Sequence, residues 1–226
     1  MNRFTVALVG GWLATILATP SFGADLPRKA PRYYAPAAGF SWSGFYVGIN
    51  GGYGWGTSTW GAAPITTDNL HPNGWLAGGT VGYNLQTGVW VWGVEGDFDF
   101  STIKASGVGT GLCAGAGCET RNRWLATARG RVGYAWDRFL PYVTGGAAFG
   151  DIKMTVNNTG LSETKTQIGW TVGGGVEYAF MGAWSAKVEY LYVDLGVPSC
   201  SAATCGVATD VAFRTNIVRG GINYRF

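Results

Sequence analysis

The stretch RTNIVRGGINYRF, Arg214 to Phe226, closes the chain and decides how the rest of it is read. Counting by twos back from Phe226 gives Tyr224, Ile222, Gly220 and Val218, while the positions between are Arg225, Asn223, Gly221 and Arg219. One face is apolar and the other cationic, with a period of two, which predicts a β-strand. A soluble sandwich turns such an apolar face inward, whereas a membrane barrel turns it toward lipid around a polar interior. The remaining sequence has to choose between these two arrangements.

The amino-terminal end fixes the compartment. Arg3 is the only charge before Asp25, an apolar run spans Phe4 to Ala18, and Pro20 is followed by small residues at Ser21 and Gly23. This is the pattern of a secretory signal peptide over residues 1–23, with cleavage expected near Gly23/Ala24. The run is shorter than the roughly 20 residues of a spanning helix, and no later stretch offers a long uncharged apolar run. A chain of this kind enters a membrane only as a closed barrel, in which every backbone polar group is paired between strands. Residues 24–43, ADLPRKAPRYYAPAAGFSWS, are rich in Pro and Ala and predict an extended periplasmic spacer, leaving 44–226 as the barrel domain.

Composition agrees with a sheet. The 226 residues include 38 Gly, 11 Trp, 11 Tyr and 11 Phe, and only 13% are charged. Glycine at this level disfavours helices, while aromatic residues fit a pleated surface. Without Arg3, 15 basic residues face 13 acidic ones, a near-balance that together with export gives no reason to expect nucleic acid.

Eight alternating segments are expected, near Phe45–Trp55, Gly74–Leu85, Trp90–Phe100, Arg123–Tyr134, Phe139–Gly150, Gln167–Phe180, Trp184–Val193 and Phe213–Phe226. Their connections alternate. Long ones fall near Gly56–Asn73, Ser101–Asn122, Asp151–Thr166 and Asp194–Ala212, and short ones at Gln86–Gly88, Ala135–Arg138 and Met181–Ala183. Long loops on one side and tight turns on the other predict an all-β fold, an eight-stranded antiparallel transmembrane β-barrel with long extracellular loops and short periplasmic turns.

Side-chain parity sharpens the expectation. One face carries Phe45, Val47 and Ile49, then Trp92, Val94 and Phe98, then Trp170 and Val172, then Val188 and Tyr190, with aromatics gathered toward strand ends. The other face carries Glu95, Asp97, Asp99, Arg129, Arg131, Glu177, Lys187, Glu189, Arg219 and Arg225, five acids and five bases. A Lys or Arg at the bilayer midplane costs about 2–4 kcal/mol, so these ten are expected inside as an interior charge network. Neighbouring strands should pair them: the acids of the third strand with the arginines of the fourth, Glu177 with Lys187, and Glu189 with Arg219. The interior of eight strands is just wide enough for side chains to fill, so an ionic plug is expected, with a narrow ion-selecting pore as the alternative. Asp151, Asp194 and Arg214 break the parity, and all three fall at long-loop ends.

Other motifs carry less chemistry. Cys113 and Cys118 share one long loop, and Cys200 and Cys205 share another; an exported chain with an even cysteine count suggests disulfides. Local bridges, Cys113–Cys118 and Cys200–Cys205, are expected, with cross-loop pairing as the alternative. No His or acid is arranged beside these thiols to suggest a metal. The run Glu95-Gly-Asp97-Phe-Asp99 has the acids of a calcium loop, yet alternation sets them on one strand face beside arginines, where salt bridges are the simpler use. His71, the single histidine, lies near Tyr53, Trp55, Trp60 and Trp75 and is the one candidate ligand for haemin. A hydrolytic triad needs a histidine beside a serine and an acid, so no enzyme is expected.

Several stretches carry a family resemblance. They are Ala24-Asp-Leu-Pro27, Phe40-Ser-Trp-Ser-Gly-Phe-Tyr-Val-Gly48, Asn50-Gly-Gly-Tyr-Gly-Trp55, Pro141-Tyr-Val-Thr-Gly-Gly146, Glu189-Tyr-Leu-Tyr192 and Asn223-Tyr-Arg-Phe226. Across essentially the whole mature chain the sequence resembles the small outer-membrane β-barrel (porin-family) proteins of alphaproteobacteria, a group of major surface antigens and haemin-binding members. The resemblance implies the outer membrane of a Gram-negative bacterium, contact with outer-membrane lipid and lipopolysaccharide, and recognition of Tyr224 and Phe226 by the barrel-assembly machinery. The expected function is a structural barrel that contributes to envelope integrity and displays surface loops. The alternatives are a small-solute or ion porin and a receptor for haemin or another surface ligand. No cofactor is expected.

Overall fold

Alternation along the sequence becomes register between strands. In the computed structural model the described residues are 40–62, 65–107, 117–156, 161–197, 199–201 and 209–226. The expected signal peptide and residues 24–39 of the spacer lie outside them. Within the described residues the strands are β1 (Gly44–Ala62), β2 (Ile65–Leu70), β3 (Asn73–Thr87), β4 (Trp90–Ser101), β5 (Lys104–Gly107) and β6 (Cys118–Arg121). They continue with β7 (Trp124–Tyr134), β8 (Phe139–Val156), β9 (Leu161–Met181), β10 (Trp184–Asp194), β11 (Ser199–Cys200) and β12 (Thr209–Arg225).

Eight of these close a ring in the order β1, β3, β4, β7, β8, β9, β10, β12, every neighbouring pair antiparallel. The last strand completes it: Tyr46 stands opposite Arg225 and Gly61 opposite Asp210 along one continuous ladder. A closed ring has no edge with unpaired backbone, as lipid demands. The three tight turns place Gly88, Asp137 and Gly182 at positive φ of 62°, 52° and 50°. A left-handed residue of this kind in a two-residue hairpin loop matches the right-handed twist of the flanking strands.

The wall is inside out relative to a soluble domain. Trp92 and Trp170 are 53% and 51% exposed, while Arg129 and Glu177 are each 3% exposed. The expected eight-stranded fold and its parity are therefore what the structure has.

The long connections differ from the expectation. Much of what the sequence suggests as loop is strand: β2 folds back on β1, β5 pairs β6, β11 pairs β12, and β8 and β9 stay paired out to Val156 and Leu161. The barrel continues past the roughly 9–11 residues a spanning strand needs, because backbone pairing persists beyond the apolar wall. Two of the parity exceptions answer each other there. Asp194 and Arg214 are register partners on β10 and β12, with Oδ2 and Nε 3.1 Å apart. The third, Asp151, accepts the backbone N–H groups of Arg123 and Trp124 at 2.8 and 3.0 Å, where β6 gives way to β7.

Candidate functional site

The lumen is filled in three layers. At the short-turn end, Trp42, Val91, Ala135, Leu140 and Ala179 form an apolar cluster with Phe40 packed against it. Trp42 enters from the segment before β1: its backbone N–H donates to Gln86 Oε1 at 2.7 Å and its indole N–H to the Asp137 carbonyl at 3.0 Å. At the long-loop end a larger apolar cluster includes Leu76, Ile103, Leu125, Met154, Leu191, Phe213 and Ile217. Between the two apolar layers lie the charges.

The middle layer is one connected ionic network. Arg129 holds three carboxylates, with Nη2 on Glu95 and 2.7 Å from Asp97, and Nη1 2.9 Å from Glu189. Arg219 holds three at close range, Asp97 at 2.9 Å, Asp99 at 2.9 Å and Glu189 at 2.6 Å, with Glu95 a fourth at 4.0 Å. Arg131 binds Glu177 at 2.8 Å, and its guanidinium carbon lies 4.0 Å from the Tyr142 ring centroid. Neutral donors complete the carboxylates: Tyr46 to Glu95 at 2.7 Å, Thr80 and Thr127 to Asp97 at 2.7 and 2.8 Å, and Ser185 and Asn223 to Glu177 at 2.6 and 2.9 Å. Burying ions is tolerable only with such dense pairing, because each otherwise loses several kcal/mol of hydration.

Nine of the ten charges assigned to the interior meet here, with two corrections. Lys187 stands opposite Glu177 in register, yet its ammonium lies 3.1 Å from Glu95 and 3.7 Å from Glu189. A lumen this narrow lets a side chain reach the facing wall, so the nearest partner need not be on the next strand. Arg225 stays out of the network. Its guanidinium lies over Phe40 at 4.3 Å and Trp42 at 5.5 Å, and no carboxylate is within ion-pair distance among the described residues. It sits at the last residue of β12, level with the short-turn cluster rather than with the acids. Five carboxylates thus face four cations, and Asp99 Oδ1 has no hydrogen-bond partner among the described residues.

Two glycines make room for the network's aromatics. A side chain at Gly82 would strike the Tyr46 ring, and one at Gly175 would meet the Tyr142 hydroxyl. Sequence reasoning missed Trp42 and both apolar layers. Their signal is the inward parity of Leu191 and Val193 on β10 and of Phe213 and Ile217 on β12, hydrophobic positions where a purely polar lumen was expected.

The remaining candidates lie elsewhere. His71 is exposed between β2 and β3, where Asn73 Nδ2 donates to its carbonyl at 3.4 Å. Nearby Tyr53 and Trp75 pack edge to face at 5.2 Å, and the side chain of Trp60 lies outside the described residues. Cys113 and Cys205 lie outside them too, as do the side chains of Cys118 and Cys200. Tyr224 packs on Trp184 at 5.0 Å and on Phe226 at 5.1 Å, all on the outer wall at the short-turn end.

Comparison with known proteins places this geometry in company. A family model described as outer membrane protein beta-barrel domain matches residues 34–226. The chain is 38% identical to a 31 kDa outer-membrane immunogenic protein of Brucella melitensis, over 95% of this chain and 97% of that protein. It is 34% identical to a 25 kDa outer-membrane immunogenic protein of Brucella abortus, over 98% of each. Among solved structures, the outer membrane protease OmpT from Escherichia coli superposes with a TM-score of 0.52 at 10% identity, covering 81% of this chain and 97% of that one. That last likeness speaks for the fold alone.

Proposed function

The chain belongs to the outer membrane protein β-barrel family, and from that premise we propose that its work is structural: a sealed barrel that contributes to envelope integrity and displays its long loops outside the cell. The observation that carries this reading is the closure of the lumen by ion pairs that cross it, packed between two apolar layers. A pore needs a continuous wet path past its charges, and open channels belong to larger barrels. Surface display is supported by the relatives' names as immunogenic proteins. The reading is non-enzymatic: His71, the only histidine, is exposed and far in sequence and level from the buried acids.

Two finer assignments belong to the same proposal. Tyr224 and Phe226 serve as the assembly signal, supported by their exposed aromatic rings at the end of the strand that closes the ring. The cysteines join as Cys113–Cys118 and Cys200–Cys205, which non-reducing peptide mapping will read directly.

The test is a deletion strain complemented with the wild-type chain. Loss of the protein is expected to raise sensitivity to detergents and to large hydrophobic antibiotics, and complementation to restore resistance. A deletion strain with unchanged sensitivity on both counts contradicts the proposal.

A further inference from the structure

Outward parity at the long-loop end sets three cations in one row. Lys104 on β5 faces out between the buried Ile103 and Ala105, Arg121 on β6 follows the buried Thr120, and Lys153 on β8 lies between the buried Ile152 and Met154. Register puts Lys104 directly opposite Arg121, and Arg121 directly opposite Lys153. With strands about 4.8 Å apart, the three share a line about 10 Å long. Like charges directly opposite one another are destabilising. The ion pairs at this end are Lys165 with Glu163 and Arg214 with Asp194, so none of the three has a carboxylate within ion-pair distance among the described residues.

The surroundings strengthen the charge. Arg123, exposed on the chain that links β6 to β7, adds a fourth cation beside the exposed Lys104 and Arg121 and the half-buried Lys153. The acids on the same outer parity are Asp151, engaged by two backbone N–H groups, and Glu119, whose register partners are Ser106 and Thr155. Along the strand, Lys153 is about 13 Å beyond Phe149, and strand tilt brings this to about 10 Å above the aromatic ring of the wall. That height is the level of lipid head groups. Directly below, Phe98 stacks on Trp124 at 6.0 Å and meets Phe100 at 5.3 Å, an apolar surface for acyl chains.

We propose that Lys104, Arg121 and Lys153 form a binding site for the phosphate groups of a phosphorylated glycolipid of the outer leaflet, lipopolysaccharide. The guanidinium of Arg121, at the centre, can hold a phosphate through two parallel N–H donors, and the flanking ammonium groups supply point charge. An anion at this position also relieves the repulsion between the three. The inference rests on the outer-membrane location and stands whether or not the barrel contributes to envelope integrity.

The experiment is native mass spectrometry of the full-length mature protein refolded in detergent, titrated with diphosphorylated lipid A, the same lipid enzymatically dephosphorylated, and inorganic phosphate. Each cation is expected to contribute about fivefold, so K104Q/R121Q/K153Q loses about a hundredfold for lipid A while each single variant loses about fivefold. Dephosphorylated lipid is expected to bind wild type no better than lipid A binds the triple variant. R214Q, whose partner is Asp194, is the control and should bind as wild type. Heat-modifiable gel migration reports closure, and if the triple variant fails to close, the single variants decide by the same criterion. Unchanged lipid A affinity in the charge variants, or equal affinity for the dephosphorylated lipid, overturns the proposal. Inorganic phosphate binding as tightly as lipid A overturns it too, by making this a free-anion site.

Discussion

Lys187 and Glu95 project from opposite walls of the barrel, four strands apart in a ring of eight, and their Nζ and Oε2 atoms lie 3.1 Å apart. A contact of this length across the full lumen leaves no bore at that level. Because both groups are fully buried, breaking the pair leaves an uncompensated ion, which costs about 3–5 kcal/mol. Lys187→Met and Glu95→Gln are each expected to lower stability by that order, and the double variant to recover part of the loss. Arg129→Met and Arg219→Met, each of which removes a cation that holds three carboxylates at close range, should be the most damaging single changes. Asp99→Asn should be the mildest change among the acids, since acids outnumber bases in the layer and one Asp99 oxygen has no hydrogen-bond partner among the described residues. Urea unfolding in detergent, followed by heat-modifiable migration, ranks them.

Trp42 is 1% exposed and its indole N–H reaches the Asp137 carbonyl, tying the segment before β1 to the turn between β7 and β8. Trp42→Ala is expected to cost about 3–5 kcal/mol, and Trp42→Phe about 1 kcal/mol for the lost hydrogen bond. The same unfolding assay measures both.

Gly82 and Gly79 lie on the same strand but face opposite ways. A Cβ at Gly82 would enter the Tyr46 ring and displace the hydroxyl that donates to Glu95, so Gly82→Ala should cost about 1–3 kcal/mol. At Gly79 the nearest atom to an added Cβ is a backbone oxygen at 3.7 Å, on the outer wall. Gly79→Ala should leave stability unchanged, and equal effects at the two sites would contradict the inside-out assignment.

Beyond the membrane wall, Glu163 accepts the backbone N–H of Ser201 at 3.1 Å and its hydroxyl at 2.9 Å, with Lys165 at 3.3 Å. The Ser201 amide and hydroxyl, with Lys165 beside them, hold the Glu163 carboxyl below its ordinary range. A depressed folded-state pKa means that this contact's contribution is present above the ordinary glutamate range and is lost as pH falls through the lower, folded value. The protection factor of the Ser201 amide, its exchange rate relative to the intrinsic rate at the same pH, should therefore be high at neutral pH and fall on acidification, and Glu163→Gln should flatten that profile. A pH-independent difference between the two proteins would contradict the assignment.

How much of this was legible in the sequence follows from what each layer requires. Lipid penalises charge at every outward position of a spanning strand, so the parity of Glu95, Arg129, Glu177 and Arg219 could be read without coordinates. No comparable penalty specifies which acid meets which base across a narrow lumen, and Lys187 was therefore assigned to its register neighbour Glu177 instead of Glu95. Arg225 shares the inward parity but lies below the acids, and parity alone carries no height. The strands beyond the wall were hidden because their outer face turns polar, as Lys153 and Thr155 do, and polar alternation resembles loop. The apolar inward residues Leu191, Val193, Phe213 and Ile217 were in plain view, yet an expectation of a polar lumen gave them no role.

The most direct test of the sealed barrel is planar-bilayer recording of the monomer, with insertion verified by heat-modifiable migration of the same sample. Because Lys187, Arg129 and Arg219 cross the lumen between the layer of Trp42 and that of Phe213, the wild-type protein is expected to give no steady unitary conductance. Reproducible conductance steps, scaling with salt and present in every inserted monomer, would contradict the account.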